Sequence, residues 1–265
     1  MYRFLLSRQW VILTLVALLL IPVMIKLGFW QFHRHERRVA QNALIADNLK
    51  AKPVPVETLT SPGHTVPRGD YWRKVTATGT FDTAHEVVVR RRTNADENVG
   101  MLVLTPLVLK DGRAVLVNRG WVPAAPDQKA YPEVPPAPGG EVTIAGRLKA
   151  DETTGASGIK DLRGLPDRQV MLINSAQQAE LIGATVLGGY VEQTGPVTES
   201  PEQIPEPDHD SIGAHMAYAV QWWLFASGVP VGWVILVRRE RRDQEAARSG
   251  AAQGPEAPEP ATAAV

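Results

Sequence analysis

The chain has 265 residues, and because 28 Lys or Arg balance 28 Asp or Glu, its formal net charge is zero. It lacks the basic excess that nucleic-acid-binding domains usually carry, so we do not expect DNA or RNA as a partner. The chain contains no Cys, which excludes disulfides, Cys-ligated zinc, iron–sulfur clusters and Cys nucleophiles within it.

The first apolar segment, residues 10–27, predicts a transmembrane helix. Lys26 is its only ionisable residue. As a helix it is about 27 Å long, close to the hydrocarbon thickness of about 30 Å. A signal peptide, with residues 1–9 as its basic start, is the alternative. Signal peptides have a shorter apolar core and a small-residue cleavage site, whereas Gly28-Phe29-Trp30-Gln31 follows here. We expect an uncleaved helix, with room to continue to about residue 38.

The second apolar segment, residues 214–237, is long enough to cross a membrane with some tilt. Four Arg occur in the next five residues, whereas residues 170–237 contain no Lys or Arg. The positive-inside rule therefore places residues 238–265, a predicted disordered tail, in the cytoplasm together with residues 1–9. The basic residues that follow the first span oppose this orientation, but the rule weakens when a large domain is translocated.

Residues 39–208 predict one extracytoplasmic, mainly antiparallel β domain, a barrel or a sandwich with one short helix. Its candidate strands are bounded by Gly, Pro or Asp, and several alternate apolar and polar residues. They are Arg73–Phe81, Glu86–Arg91, Gly100–Leu109, Ala114–Val122, Glu141–Leu148, Gln169–Ile173 and Val186–Glu192. Asp111-Gly112 predicts a hairpin turn, and Ser175 to Gly183 a capped helix. The predicted fold class is therefore a membrane protein in which two transmembrane helices flank this β domain.

His215 is the residue in the second span that most suggests chemistry, because ionisable groups in membrane segments are costly. Tyr218, Trp222 and Phe225 follow at helical spacing and share a stripe with it, beside the small residues Ala219 and Ala226. A histidine beside an aromatic groove can ligate haem iron while the rings pack against the macrocycle. The alternative is an ordinary interfacial belt of aromatic residues and His without any ligand.

A second stripe follows the first span if the helix continues. Trp30, Arg34 and Arg37 would then share one face, and Gly28, Gln31 and His35 another. Arg side chains suit a carboxylate such as a haem propionate. Alternatively, Arg34, Arg37 and Arg38 are neutralised by an acidic run before the second span. That run comprises Glu199, Glu202, Glu206, Asp208 and Asp210.

Catalytic motifs are absent from the sequence. There is no G-x-S-x-G elbow, H-E-x-x-H zinc motif or phosphate-binding Gly loop. His33 and His35 are two residues apart, so on a helix they point away from each other and form a poor metal pair. We therefore do not expect an enzyme.

Strand residues 114–122 contain an Arg between apolar neighbours. Strict alternation places Val115, Val117, Arg119 and Trp121 on one face of this strand. A buried Arg needs a carboxylate or carbonyl partner. We therefore interpret Arg119 and Trp121 as structural rather than ligand-binding residues.

Short motifs occur in a set order along the chain. They are Leu27-Gly28-Phe29-Trp30-Gln31 with Arg34 and Arg38, Tyr71-Trp72-Arg73-Lys74-Val75 with Gly79-Thr80-Phe81, Gly100 with Thr105-Pro106-Leu107, Val117-Asn118-Arg119-Gly120-Trp121-Val122-Pro123, and His215 with Tyr218-Ala219 and Gln221-Trp222-Trp223. In this order, and placed against two spans, they resemble the Surfeit locus protein 1 family, membrane factors for cytochrome c oxidase assembly. The chain departs from the family pattern at Arg38, where Lys is common, at Ile212-Gly213-Ala214, where Asn residues are frequent, and at Trp223, where Phe is usual.

The resemblance implies a two-pass protein of a bacterial plasma membrane that helps to build the haem a-containing subunit of a terminal oxidase. It implies transient binding of haem a with His215 as the iron ligand. Tyr218, Trp222 and Trp30 would then pack against the macrocycle, and Arg34 or Arg37 would contact a propionate. The implied partners are the lipid bilayer, the catalytic subunit of the oxidase and, as a further candidate, haem a synthase. The alternative is a membrane scaffold that binds these proteins without binding haem.

Overall fold

The computed structural model describes residues 3–127, 129–196 and 200–252, and the chain divides into two compact units. The helical unit consists of the chain ends, up to Ala40 and from Ile212 onward, and the barrel unit is Gln41–Ser211. Two long helices, α1 (Arg8–Lys50) and α4 (His215–Ala252), carry the two predicted spans. A 3-10 turn at Arg3–Leu6 precedes α1.

Helix α1 continues beyond the predicted limit of about residue 38, because its last turns are amphipathic. Ile45 and Leu49 are buried in the barrel unit. Asn48 donates side-chain hydrogen bonds to the carbonyl oxygens of Gly69 and Tyr71, at 2.7 and 2.8 Å. The predicted domain start at residue 39 therefore falls inside a helix rather than at its end.

Helix α4 also runs past its apolar part, which corrects the predicted disorder of residues 238–252. This segment is rich in good helix formers and carries ion pairs at i,i+4 spacing. Arg239 lies 4.0 Å from Asp243, and Arg241 lies 3.2 Å from Glu245. Residues 253–265, the rest of the predicted tail, lie outside the described residues.

Both helices are long and apolar enough to cross a membrane, and only 6% of the most apolar window of each is buried. The core helix of a water-soluble domain would be mostly buried. Instead, large apolar side chains such as Leu15, Leu19 and Leu224 are about two-thirds exposed. Monomeric soluble proteins rarely expose apolar surfaces of this extent.

The less exposed side chains of α1 and α4 recur every three or four residues. They are Thr14, Ala17, Ile21, Met24, Gly28, Gln31 and His35 on α1, and His215, Ala219, Trp222, Ala226, Val229 and Trp233 on α4. The helices pack antiparallel, since Trp233 Nε1 donates to Thr14 Oγ1 at 3.0 Å near one end and His215 meets Gln31 near the other. Ala219 and Ala226 are buried, as expected of small residues where two helices approach closely.

The barrel unit confirms the predicted fold class. Its strands are β1 (Val54–Pro55), β2 (Lys74–Phe81), β3 (Val87–Thr93), β4 (Val99–Leu109), β5 (Ala114–Pro123), β6 (Glu141–Lys149), β7 (Gln169–Val170) and β8 (Val186–Gly195). The order β2-β6-β8-β5-β4 closes on itself because β2 also pairs with β4. This five-stranded barrel is mixed, since β5 and β8 are parallel whereas the other pairs are antiparallel.

Three further strands and two short helices complete the barrel unit. β1 pairs with β2, while β3 and β7 extend the sheet beyond β4. α2 is Thr154–Ser157, and α3 is Ser175–Ile182. The N-cap of α3 is Asn174, whose side chain accepts from Gln177 N, and Gly183 ends α3 in the left-handed conformation. The predicted strand Gln169–Ile173 is shorter than expected because it ends at Val170 as β7.

Apolar side chains from all five barrel strands fill one core. This core includes Val75, Leu107, Val117, Ile144 and Val191, all essentially inaccessible to solvent. A second cluster on the outer surface lies beneath α3 and includes residues of β3, β4, β5 and β8. The predicted hairpin between β4 and β5 is confirmed, with Gly112 at φ 82° and its N–H bonded to Leu109 O at 3.0 Å.

The predicted alternation along β5 is wrong after Val117. Asn118 pairs with Leu104 and Gly120 with Val103, so Arg119 is an extra residue in a β-bulge. The bulge exchanges the two faces of the strand. Trp121 consequently packs in the outer cluster, whereas Val115 and Val117 lie in the barrel core.

Candidate functional site

His215 is the first residue of α4, and its ring is half-buried against α1. Its Nδ1 lies 3.0 Å from Oε1 of Gln31. A carboxamide oxygen can only accept a hydrogen bond, so Nδ1 carries the hydrogen. In the neutral imidazole Nε2 then keeps its lone pair. Metal-ligating histidines typically show this arrangement, in which the second nitrogen is anchored to an oxygen.

Gly213 leaves space beside the free edge of this imidazole. A Cβ there would lie 3.6 Å from Cδ2 and 3.7 Å from Nε2 of His215, and Gly213 has a φ of 66° that disfavours other residues. Within the described residues, Nε2 of His215 makes no hydrogen bond. Because residue 213 has no side chain, Nε2 of His215 is not covered from that direction.

The side chains of the predicted aromatic stripe point in two directions. Trp222 is half-buried, on the same row as His215 and Ala219 that faces α1. Tyr218 and Phe225 are about half exposed, on the flank of the helix. Trp222 and Phe225 still touch edge to face, with centroids 6.1 Å apart. Together these rings form an open apolar wall rather than an enclosed pocket.

On α1, Trp30 and Arg34 share a helix face, as the spacing predicted, and they are in contact. The guanidinium of Arg34 lies 4.9 Å from the Trp30 ring centroid, and both side chains are exposed. Arg37 donates from Nε to His33 O at 3.2 Å, one turn earlier in the helix. Two cationic groups are thus held on an exposed helix surface beside an indole.

The acidic run has contacts of its own within the barrel unit. Oε2 of Glu202 accepts from Asn94 Nδ2 at 2.9 Å, and Glu206 lies 3.9 Å from His209. Oδ1 of Asp208 accepts from the backbone N–H groups of Asp210 and Ser211. Glu199 lies outside the described residues. Neutralisation of Arg34, Arg37 and Arg38 by these acids stays a prediction.

Trp223 is a residue that sequence reasoning did not assign to the site. A Cβ at Gly28 would lie 2.2 Å from Trp223 Nε1, so the indole packs directly on the glycine backbone. Phe29 and Phe32 flank it, with centroids at 5.6 and 6.1 Å. The Gly-Phe-Trp-Gln-Phe sequence within an apolar helix was the available signal, since a Gly there often marks close packing.

A polar cluster in the barrel unit holds Arg119 as predicted for a structural residue. Oε2 of buried Glu86 accepts from Arg119 Nη1 at 2.9 Å and from Thr105 Oγ1 at 2.8 Å. Arg119 also donates to two backbone carbonyls, of Pro135 and Pro136, at 3.0 Å each. The carboxylate and carbonyl partners expected for a buried Arg are therefore both present.

Tyr131 completes the environment of Glu86. Its hydroxyl donates to Oε1 of Glu86 at 3.3 Å. Burial, and then the neighbouring carboxylate, raise the pKa of Tyr131 to about 12. The phenol is therefore neutral at physiological pH. The sequence did not identify Glu86 as the partner of Arg119, because the two residues are 33 positions apart in the chain. Glu86 directly precedes β3 and Arg119 lies in β5, and the two meet only because both strands pair with β4.

A second buried ion pair, Arg147 with Glu192, was also missed. Nη2 of Arg147 lies 3.2 Å from Glu192 Oε2 and donates to the carbonyl oxygens of Ile204 and Pro205. It joins β6 to β8 and to the segment that follows β8. Both buried pairs connect residues that are distant in sequence, which is typical of structural clamps.

Comparison with known proteins identifies a family whose model matches most of this chain. The model of the SURF1 family matches residues 18–227. An uncharacterised SURF1-like protein of Mycobacterium bovis is 29% identical over 249 residues, which are 93% of this chain and 90% of that protein. One of Mycobacterium tuberculosis has the same identity and coverage. A SURF1-like protein of Monosiga brevicollis is 28% identical over 252 residues, with 84% of this chain and 87% of that protein covered.

Proposed function

The chain belongs to the SURF1 family, and we propose that it is a non-enzymatic assembly factor for haem a-containing cytochrome c oxidase. In this proposal it binds haem a in passing and delivers it during maturation of the catalytic subunit. The observation that carries the proposal is the contact between His215 Nδ1 and Gln31 Oε1, which leaves Nε2 as a free imidazole donor. This is the Surfeit locus protein 1 family that the motifs predicted.

When bound, haem a would supply an iron that can accept an imidazole nitrogen as a ligand. His215 would be the iron ligand, and Gln31 would hold its ring in the required tautomer and orientation. Trp222 and Tyr218 supply apolar surface next to His215 on α4, and the exposed face of Trp30 supplies it on α1. These residues fit a flat, largely apolar group with one coordination bond.

Arg34 and Arg37 are proposed to contact the propionates. Both are exposed, and Arg34 is already oriented by the Trp30 ring. A guanidinium can donate two parallel hydrogen bonds to a carboxylate, which favours Arg over Lys at such a contact. Charge neutralisation of the propionates would let haem a lie at the membrane surface rather than in water.

We propose that the protein lies in a bacterial plasma membrane, with α1 and α4 as its two spans and both termini in the cytoplasm. The four Arg that follow residue 237 support this orientation. The barrel unit would then be extracytoplasmic, and His215 would lie at the outer surface. The proposed partners are the oxidase catalytic subunit, which takes up haem a, and haem a synthase, which supplies it.

The test is to co-express the full chain with the enzymes that make haem a and to record the haem a to protein ratio after purification. We expect the wild type to retain haem a and His215→Ala to lose most of it. Gln31→Leu removes the acceptor for Nδ1 at similar size and should retain an intermediate amount. His33→Ala is the matched control, because His33 is exposed on the same helix as Gln31 and should retain as much as the wild type. Equal retention by wild type and His215→Ala would refute the proposed ligand.

A scaffold function without haem is the second candidate. The exposure of Tyr218 and Phe225 favours it, because an open wall of aromatic side chains also suits packing against a partner helix. Crosslinking to the oxidase catalytic subunit distinguishes the two functions. If crosslinking and oxidase assembly both survive His215→Ala, the scaffold function is supported. If crosslinking survives but the oxidase lacks haem a, the haem function is supported.

A further inference from the structure

A cavity of about 170 Å³ lies in the barrel unit, on the outer surface beside α3. Its walls come from the 3-10 turn Thr83–His85, from the start of β3 and from α3. His85, Glu86, Arg168 and Gln178 are its polar lining, and the apolar lining includes Val87 and Leu181. None of the residues that line this cavity is assigned to haem binding.

Gln178 is the feature of this cavity that needs an explanation. Its side chain is only 1% exposed, and within the described residues its Nε2 has no hydrogen-bond partner. A buried amide donor without a partner destabilises the folded chain. Buried polar atoms of this kind are uncommon in folded proteins, and each one calls for a ligand, a water or a functional reason.

Glu86 lines the same cavity, but both oxygens of its carboxylate already accept hydrogen bonds. Arg119 and Thr105 bond one of its oxygens, and Tyr131 bonds the other. Arg168 adds a second cation 3.7 Å from that second oxygen. Two guanidinium groups therefore face one carboxylate. His85 on the cavity wall is paired with Asp82 at 2.6 Å.

Arg168 is held in place by several contacts. Its Nε donates to Glu86 O at 2.9 Å, its Nη2 bonds the Tyr131 hydroxyl at 3.3 Å, and its guanidinium stacks on the Tyr131 ring at 4.3 Å. Its backbone has a φ of 60°, a conformation that costs energy for a residue other than Gly. The side chain remains about half exposed, so Nη1 is available to a ligand that enters from solvent.

We propose that this cavity binds a single carboxylate of a partner polypeptide, with Gln178 Nε2 and Arg168 Nη1 as its donors. The guanidinium and the amide donor together favour an anion that accepts hydrogen bonds on a flat group. Drug-sized ligands occupy cavities of about 300–1,000 Å³, so a volume of about 170 Å³ suits one acidic side chain or one chain terminus. Val87 and Leu181, which is 64% exposed at the rim, would contact the carbon atoms that carry the carboxylate.

The test uses the full chain in detergent and the side-chain amide signals of Gln178 in a ¹⁵N–¹H spectrum, assigned by their loss in Gln178→Met. Propionate is the carboxylate probe, and propionamide is its neutral counterpart. We expect propionate to shift these signals with a dissociation constant of about 1 mM. Propionamide should bind at least about tenfold more weakly than propionate, and Arg168→Gln should weaken the binding of propionate by a similar factor. Equal shifts with both probes, or no shift with propionate, would overturn the proposal.

Two further measurements test the proposal even if one of these variants folds poorly. A peptide with an internal Glu and an amidated end, compared with a peptide that ends in a free carboxylate, shows which source of the carboxylate fits. The thermal midpoint of Gln178→Met without any probe should be higher than that of the wild type, because the variant lacks the unsatisfied donor. A lower midpoint would mean that Nε2 has a partner already and would contradict the proposal.

Discussion

Replacing Arg119 with Met removes the cation from the buried ion pair of the barrel unit and keeps an unbranched side chain of similar length. The side chains of Arg119 and Glu86 are 5% and 9% exposed. Removing one partner of such a pair costs about 3–5 kcal/mol, because the other charge stays buried without compensation. Arg168 remains 3.7 Å from Glu86, so we expect a value near the lower limit, about 3 kcal/mol.

Thermal unfolding of the full chain in detergent, followed by the β-sheet circular dichroism signal, measures this change. One kcal/mol shifts the midpoint by about 2–4 °C in a domain of this size, so Arg119→Met should lower it by about 6–12 °C. Arg113→Met is the matched control, because it is the same substitution in the exposed pair with Asp111, and it should leave the midpoint nearly unchanged.

A double variant, Arg119→Met with Glu86→Leu, separates the buried charge from lost packing. It removes both charges and should recover part of the stability that the single variant loses, since apolar replacement of a whole buried pair is often tolerated. The reasoning would be refuted if Arg119→Met and Arg113→Met had equal midpoints, or if the double variant were less stable than Arg119→Met.

Three other predictions concern single positions. Gly79→Ala would place a Cβ 2.2 Å from Val108 O, where β2 and β4 pair to close the barrel. The substitution should lower the free energy of unfolding, measured by denaturant titration, by about 1–3 kcal/mol. An unchanged free energy of unfolding would contradict the close approach of β2 and β4 at this position. Gly28→Leu should displace Trp223 and change the near-UV circular dichroism, whereas an unchanged spectrum would contradict the packing of the indole on the glycine. The pKa of Tyr131 is raised in the folded chain from 10.0 to about 12, so its contribution to stability is complete below pH 10 and is lost as the pH rises toward 12; Tyr131→Phe should lack this alkaline loss.

Much of the fold could be predicted from the sequence because burial imposes a period on the strands. β2 and β6 alternate apolar and other residues, and this alternation located both strands to within one residue. β4 is buried along nearly its whole length, and its continuous apolar run located it equally well. The bulge at Arg119 was not predictable in this way, since an extra residue in one strand depends on the register with its partner. The ends of α1 were missed for a related reason: Ile45 and Leu49 give that segment a helical period, but they follow a charged segment that conceals the continuity.

The candidate site was predictable in its residues more than in its contacts. Spacing placed Gly28, Gln31 and His35 on one face of α1, and in the structure Gly28 contacts Trp223 and Gln31 contacts His215 of α4. Spacing could not join Gln31 to His215, because that contact depends on how two separate helices are aligned along their length. Glu86 and Gln178 were missed because their roles depend on partners from distant strands and helices.

Rescue by free imidazole tests most directly whether His215 is an iron ligand. His215→Gly opens space at the ring position, so imidazole supplied together with haem a can take the place of the lost side chain. The account predicts that the variant binds little haem a without imidazole, that imidazole restores both haem a binding and the wild-type Soret band with saturation, and that His33→Gly needs no rescue. A wild-type Soret band in His215→Gly before imidazole is added would contradict the account.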